Sequence, residues 1–274
     1  MHNSMQLSRT TRIALRVFMI LGLAVIYIPL MLVLINSFNP GKAFEWPPSG
    51  LSTRWWTQAW SEEGPREALL TSLKAGLGAT ACALILGTLA AFAVQRYKFF
   101  GRQTVSLLLV LPIALPGIVT GIALSAAFQI VLPPLGIGFG LFTVIVGHTT
   151  FCIVIVFNNV VARLRRLAPS AEEASADLGA HTFQTFWYIT LPAVRSALFA
   201  GGLLAFALSF DEIVVTTFTA GPGVQTLPIW IYENLARPDQ APVVDVVAAS
   251  VIVLSVLPVY LAQRLSSDTA AAVH

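Results

Sequence analysis

The chain has 274 residues, 56% hydrophobic and only 11% charged, with a formal net charge of +3. Soluble domains carry roughly 25% charged residues, so this composition excludes a water-soluble globular protein and points to burial in lipid. The basic excess does not mark a nucleic-acid binder, because the lysines and arginines fall at the ends of apolar runs.

A helix needs about 20 apolar residues to cross a bilayer. The first such run, Val17 to Ile35, follows Arg9, Arg12 and Arg16. It is too long for the apolar region of a signal peptide and lacks a small-residue cleavage site, so it reads as a retained first span. The connection from Asn36 to Ala68 holds Trp46, Trp55, Trp56 and Trp60. Tryptophan collects at membrane interfaces; an anchoring interfacial helix and a docking surface for another protein both fit. The second span is expected over Ala75–Val94. Between Gln103 and Ala162 there is no charge, and Pro133-Pro134-Leu135-Gly136 marks a turn. This predicts a third span near Thr104–Val131 and a fourth near Leu141–Val161. His148, in the fourth, reads as a packed core histidine. Cys82 and Cys152 each lie inside an apolar run without a second ligand nearby and read as small core hydrophobes. No metal site is expected.

A polar segment follows. Ser170 and Glu173 have capping-box spacing, and Pro169 limits any upstream extension. Ala171, Ala174 and Leu178 recur on one helical face, and Gly179 stands where a helix end favours glycine. Thr182 is a second N-cap candidate, ahead of Phe183, Phe186 and Trp187, with Pro192 closing that helix. Two short helices at an angle are expected, with one small apolar face and acids beside it. The fifth span starts at Ser196 and meets Asp211 and Glu212 after Phe210. Carboxylates at the bilayer centre cost about 2.5–3.5 kcal/mol each on insertion scales and are functional candidates. Asp211 lies about 24 Å along the helix from Ser196 at 1.5 Å per residue. Two readings stay open: a cation-attracting element in a pathway, or a span that ends early at the interface. Trp230, Tyr232 and Glu233 fit an aromatic and acidic lining or an interfacial belt equally well. The sixth span is expected over Val246–Ala262.

Six spans put both termini on one side. That face carries eleven lysines and arginines (Arg9, Arg12, Arg16, Arg96, Lys98, Arg102, Arg163, Arg165, Arg166, Arg195, Arg264) and the other four (Lys42, Arg54, Arg66, Arg237). The positive-inside rule makes the first face cytoplasmic. The expected organisation is a tail over 1–12, an all-α six-span membrane domain over 13–263 with a cytoplasmic loop over 163–195, and a tail over 264–274.

The spacing Glu173-Ala174-Ser175, Gly179, Ile189, Leu191-Pro192 resembles the coupling loop of ABC importer permeases, with Ser175 in place of the second alanine. The resemblance extends over most of the chain. Leu111–Leu124 (LPIALPGIVTGIAL), Ser209–Phe218 (SFDEIVVTTF) followed by Gly221, and Leu227–Tyr232 (LPIWIY) are similar to the second permease of spermidine/putrescine-type transporters. Some family members carry an acid where this chain has Gly117. The resemblance implies a type I (MetI-like) importer permease of a bacterial inner membrane, working with a second, homologous permease, two cytoplasmic ATPase subunits and an extracytoplasmic binding protein. It implies that Glu172, Glu173, Ala174, Ser175, Asp177, Gly179, Ile189, Leu191 and Pro192 serve ATPase coupling; Phe210, Asp211, Glu212, Trp230, Tyr232 and Glu233 stay the candidate pathway residues on the reading of the acids and aromatics given above. Glu173 would fix the coupling helix, and Ala174 and Ser175 would keep its surface small enough to enter a cleft. ATP and magnesium would sit on the ATPases and no cofactor on this chain, since Pro40-Gly41-Lys42 lacks the spacing of a phosphate-binding loop. No His-Glu-x-x-His or Gly-x-Ser-x-Gly pattern supports an enzyme. A small cationic amine, such as spermidine or putrescine, is the expected cargo; γ-aminobutyrate-like amines and an ion-coupled carrier are the alternatives.

Overall fold

The computed structural model describes residues 8–42, 46–168 and 170–271; Pro169, expected to limit the loop helix, and the outermost parts of both expected tails lie outside the described residues. Among the described residues every regular element is a helix: α1 (Arg9–Asn36), α2 (Arg54–Ser61), α3 (Glu63–Arg96), α4 (Arg102–Ala114), α5 (Gly117–Val131), α6 (Leu141–Leu164), α7 (Ser170–Asp177), α8 (Thr182–Thr185), α9 (Leu191–Phe210), α10 (Val214–Thr219), α11 (Leu227–Asn234) and α12 (Ala241–Ala271). A 3₁₀ turn, Pro133–Leu135, precedes α6, and a π-helical turn, Phe186–Thr190, joins α8 to α9. All-helical structure is what lipid demands, because a helix satisfies its own backbone donors and acceptors.

Two compact units form, one from Met1–Glu63 with Ile231–Val256 and one from Gly64–Trp230 with Leu257–His274. In the first, Ser8 caps α1 by accepting the Thr11 N–H at 3.1 Å. The Asn36 amide at the other end of α1 donates to the Asp245 carboxylate on α12. The apolar side chains of α1 from Ile13 to Met31 are largely exposed, as suits a surface turned to lipid or to another helix. The tryptophans divide: Trp55 is buried under the Arg54 guanidinium, 4.9 Å from its ring centroid, and Trp56 stacks on Phe38 at 5.2 Å, while Trp46 is exposed.

The second unit is organised around α6. Small residues on α3, among them Ala83, Gly87 and Ala91, let that helix approach closely, so that a Cβ on Gly87 would meet the Val156 side chain at 3.0 Å. Close approach through small residues is how membrane helices gain packing energy when lipid is as apolar as their own side chains. On its other flank α6 packs against α9, and Cys152, Val156 and Val160 are fully buried with Val194 and Ala205. The Cys152 thiol donates to the Ala205 carbonyl at 3.3 Å, in keeping with a small core residue.

Among the described residues four helices are long and apolar enough to cross a membrane (α1, α3, α6 and the run Thr182–Phe210), and a bent pair raises the count to five, against the six expected. That pair corrects the third span: α4 and α5 meet at 109° rather than forming one helix over Thr104–Val131. Pro116 is the cause. A proline disfavours helical geometry at the residue before it, and Leu115 is extended (φ −82°, ψ 143°). The sixth expected span, Val246–Ala262, falls within α12.

The expected separation of the polar loop from span five is also corrected. Pro192 does not close a helix ahead of a span starting at Ser196; the chain runs helically from Thr182 to Phe210. The wide π turn allows this. The Leu191 N–H bonds to the Phe186 carbonyl, five residues back, and the widened turn accommodates a proline ring at the first turn of α9, where a missing N–H is tolerated.

Candidate functional site

The segment between α6 and α9 is built from the helix ends it contains. Helix α7 begins at Ser170, so Ser170 is its first residue rather than the cap before it. Its end has a complete Schellman pattern: the Ala180 N–H bonds to the Ser175 carbonyl at 3.1 Å and the Gly179 N–H to the Ala176 carbonyl at 2.9 Å. Gly179 adopts φ +84°, the left-handed conformation the pattern requires. Helix α8 is capped from His181, one residue before the expected Thr182, and the Gln184 side chain accepts the His181 N–H at 3.1 Å. The Ser175 and Thr185 hydroxyls, 3.0 Å apart, tie the two helices together.

The two neighbouring acids point different ways. Glu172 is half-buried. Its carboxylate takes a two-pronged contact from Arg96 at the end of α3, with Nε–Oε2 and Nη2–Oε1 both 2.9 Å, and accepts the Thr190 hydroxyl at 3.1 Å. Glu173, Ala174, Asp177 and Leu178 are exposed, Leu178 to 89%. Ile189 and Leu191 stand on either side of Thr190, which is buried. A cavity of about 680 Å³ opens between the end of α3 and α7–α8, lined by Phe92, Ala93, Arg96, Glu172, Ala176 and Phe183 among others. Arg96 and Thr190 were not among the expected site residues. Arg96 appears in sequence only as one more basic residue at a helix end, and its partner lies 76 residues downstream.

The acids after α9 also separate. The helix ends at Phe210, and Asp211, its C-cap, bonds through its backbone N–H to the Ala207 carbonyl and leaves its side chain exposed. The Glu212 carboxylate accepts the Val215 N–H at 2.9 Å and so caps α10. The Phe210 ring lies 5.8 Å from that of Phe206. Gly117, at the start of α5, faces Val214, and Gly121 one turn later faces Phe218, so α5 packs against α10. Gly221 just beyond α10 has no room for a side chain, because a Cβ there would overlap the Phe139 carbonyl.

His148 holds this break in place. It is fully buried, with Nδ1 2.7 Å from the Ser209 hydroxyl and Nε2 2.8 Å from the Thr216 hydroxyl. The Thr216 hydroxyl donates to the Glu212 carbonyl at 2.7 Å, so it receives a proton from His148 rather than giving one. Nε2 therefore carries a proton directed at Thr216, and Nδ1 pairs with the Ser209 hydroxyl. His148 is a packed core residue that joins α6 to both sides of the break.

The remaining expected lining residues divide between the two units. Trp230 is buried with its indole nitrogen over Gly64, where a Cβ would approach it to 2.9 Å. Tyr232 and Glu233 are exposed and belong to the first unit. Among the described residues no group of three metal-ligating side chains forms.

The family model for the binding-protein-dependent transport system inner membrane component matches residues 83–270. The chain is 35% identical to the putrescine transport system permease protein PotI of Escherichia coli over 80% of its length and 79% of that protein's. It is 33% identical to the spermidine/putrescine transport system permease protein PotC of the same species, covering 92% and 93%. The putative 2-aminoethylphosphonate transport system permease protein PhnV of Salmonella typhimurium is 26% identical over 86% and 87%. In fold, the chain is similar to a bacterial ABC transporter that imports the acidic polysaccharide alginate (TM-score 0.69, 16% identity, 96% and 98% covered). It is also similar to the MetNI methionine ABC transporter (TM-score 0.58, 18% identity, 74% and 92% covered).

Proposed function

The chain belongs to the binding-protein-dependent transport system inner membrane components, and from that premise we propose that it carries a small cationic amine, of the polyamine class, through an ATP-driven importer. In this reading it pairs with a second, homologous permease, and two ATPase subunits supply ATP and magnesium. An extracytoplasmic binding protein delivers the cargo. The termini and the α7–α8 segment face the cytoplasm.

One observation carries the reading: α7 presents an exposed face on a helix whose end is fixed by hydrogen bonds. Glu173, Ala174, Asp177 and Leu178 are exposed, while the Schellman turn at Gly179 and the inward bonds of Glu172 and Ser175 hold the helix that bears them. In this reading Ser175 and Ile189, which share a shallow pocket with Leu178 and Gly179, and Leu191 and Pro192 at the start of α9 complete the coupling segment. A structured helix end kept free of contacts within its own chain suits insertion into an ATPase cleft.

Asp211 is our candidate for the cargo's ammonium. It sits at the C-terminal end of α9, where the aligned peptide dipoles leave about half a negative charge, and membrane carriers coordinate cations at such interrupted helix ends. Glu212 is occupied with capping α10, which leaves Asp211 as the exposed acid. Phe210 beside it contributes an aromatic wall; Trp230, Tyr232 and Glu233 have a weaker claim.

The test is putrescine uptake by the four-component importer in proteoliposomes. Asp211→Asn is expected to lower uptake about 5–30-fold, corresponding to about 1–2 kcal/mol, with assembly intact. Glu212→Gln keeps an acceptor for the Val215 N–H and is expected to lose less. Glu173→Arg is expected to block assembly with the ATPase. Equal, unimpaired uptake in all three variants would sink the reading.

A further inference from the structure

We propose that Arg96, Glu172 and Thr190 form a clamp that makes the end of α3, helix α7 and the start of α9 move as one body when ATP drives the transporter. Arg96 is a positioning residue in that stroke. The inference rests on the coupling role given above to α7, and deepens it by naming what α7 pulls on.

Helix α7 packs on α8 and on the π turn, but toward α3 it faces the cavity of about 680 Å³. The ion pair crosses that open space. Its geometry is the strong, two-pronged kind, with both nitrogen–oxygen distances at 2.9 Å. Each side chain is only 23% exposed, so water screens the pair less than it would a surface pair. Thr190 adds a hydroxyl donor from the last residue of the π turn at 3.1 Å. One carboxylate on α7 thus gathers contacts from two membrane helices, which also meet where the Phe92 ring on α3 packs edge-on against Phe186 at 5.1 Å.

The cavity is what makes the clamp matter mechanically. Without the ion pair, α7 has room to swing toward or away from α3, and a push on its exposed face would be spent in that movement. With it, displacement of α7 carries the end of α3 along. Adjacent Glu173, on the other side of the helix, remains free for a partner.

Spin labels at Ala93 on α3 and Ala176 on α7, which line the cavity from its two sides, test this by pulsed electron–electron distance measurement in the assembled transporter. The wild-type background is expected to give one narrow distance, unchanged between the nucleotide-free complex and the complex trapped with ATP and vanadate. R96E is expected to broaden the distribution, shifting the balance toward open arrangements about 5–30-fold, and to make it nucleotide-dependent. R96K, which keeps charge but loses the fork, falls between. The exchange R96E/E172R restores the narrow peak. A wild-type distance that changes on trapping, an R96E distribution like the wild type's, or a failed rescue in a complex that still assembles overturns the clamp. Failure of the coupling reading has a different signature: no ATP hydrolysis by the wild-type complex. In that case the nucleotide-free distances of wild type, R96E and the exchange still decide whether the clamp holds α7.

Discussion

Removing the imidazole of His148 tests the packing at the α9–α10 break most directly. The ring is fully buried and makes two hydrogen bonds, to Ser209 at 2.7 Å and Thr216 at 2.8 Å. Interhelical hydrogen bonds in membranes contribute about 0.6 kcal/mol on average and about 1.7 at most, so the pair is worth about 1–3 kcal/mol. Truncation to alanine also leaves a ring-sized void, for about 2 kcal/mol more. His148→Ala is therefore expected to destabilise the protein by about 3–5 kcal/mol. His148→Phe, which refills the volume, is expected to lose only the hydrogen-bond share, about 1–3 kcal/mol. The assay is denaturant unfolding in detergent, with the double-mutant cycle of His148→Phe and Ser209→Ala. A coupling of about 0.6–1.7 kcal/mol is expected from that cycle. A His148→Phe protein as stable as the wild type, with no coupling to Ser209, would refute the claim that the polar network holds the break.

Two further substitutions probe the backbone. Gly179→Ala meets nothing within 4 Å, so any loss comes from the left-handed conformation alone. About 1–2 kcal/mol is expected, read as faster proteolysis of the α7–α8 segment with little change in global unfolding. Gly221→Ala is different, because its Cβ would overlap the Phe139 carbonyl and force the backbone apart. A loss of about 1–3 kcal/mol or more, as in overpacked cores, is expected in global unfolding, and an unaffected midpoint would show that the close approach is not real.

Much of the fold is legible along the chain because its causes are local. Apolar runs become helices wherever lipid leaves the backbone no other partner. The end of α7 follows from one glycine at the right offset, and φ +84° at Gly179 is what that offset asks for. The turn ahead of α6 follows from Pro133 and Pro134. Where local signals compete, the reading fails. Pro116 is read inside one continuous third span and Pro192 as a stop, and the structure reverses both. Pro116 turns the chain by 109°, whereas Pro192 is absorbed by a π turn; both follow a leucine, and the local difference is the Gly117 after Pro116 where Ala193 follows Pro192.

The acids show the same division more sharply. Sequence alone determined that Glu172, Glu173, Asp211 and Glu212 are candidates, since a chain with 11% charge in a membrane setting keeps few acids without reason. It gave the helix-fixing role to Glu173, where the structure gives it to Glu172, and left Asp211 and Glu212 unassigned, because neighbouring positions on a helix differ by about 100° and either of two can face inward. The assignment rests on partners remote in the chain or on the exact end of a helix. Arg96, 76 residues away, draws Glu172 inward and leaves Glu173 exposed. The end of α9 at Phe210 turns Glu212 into a cap and leaves Asp211 exposed, and His148 secures that end across 61 residues. Composition and spacing thus determined that this is a membrane protein with a structured polar loop, and the resemblance carried by that loop pointed to a permease. Which carboxylate does what was decided by tertiary contacts, because only the folded chain brings each partner within hydrogen-bonding distance.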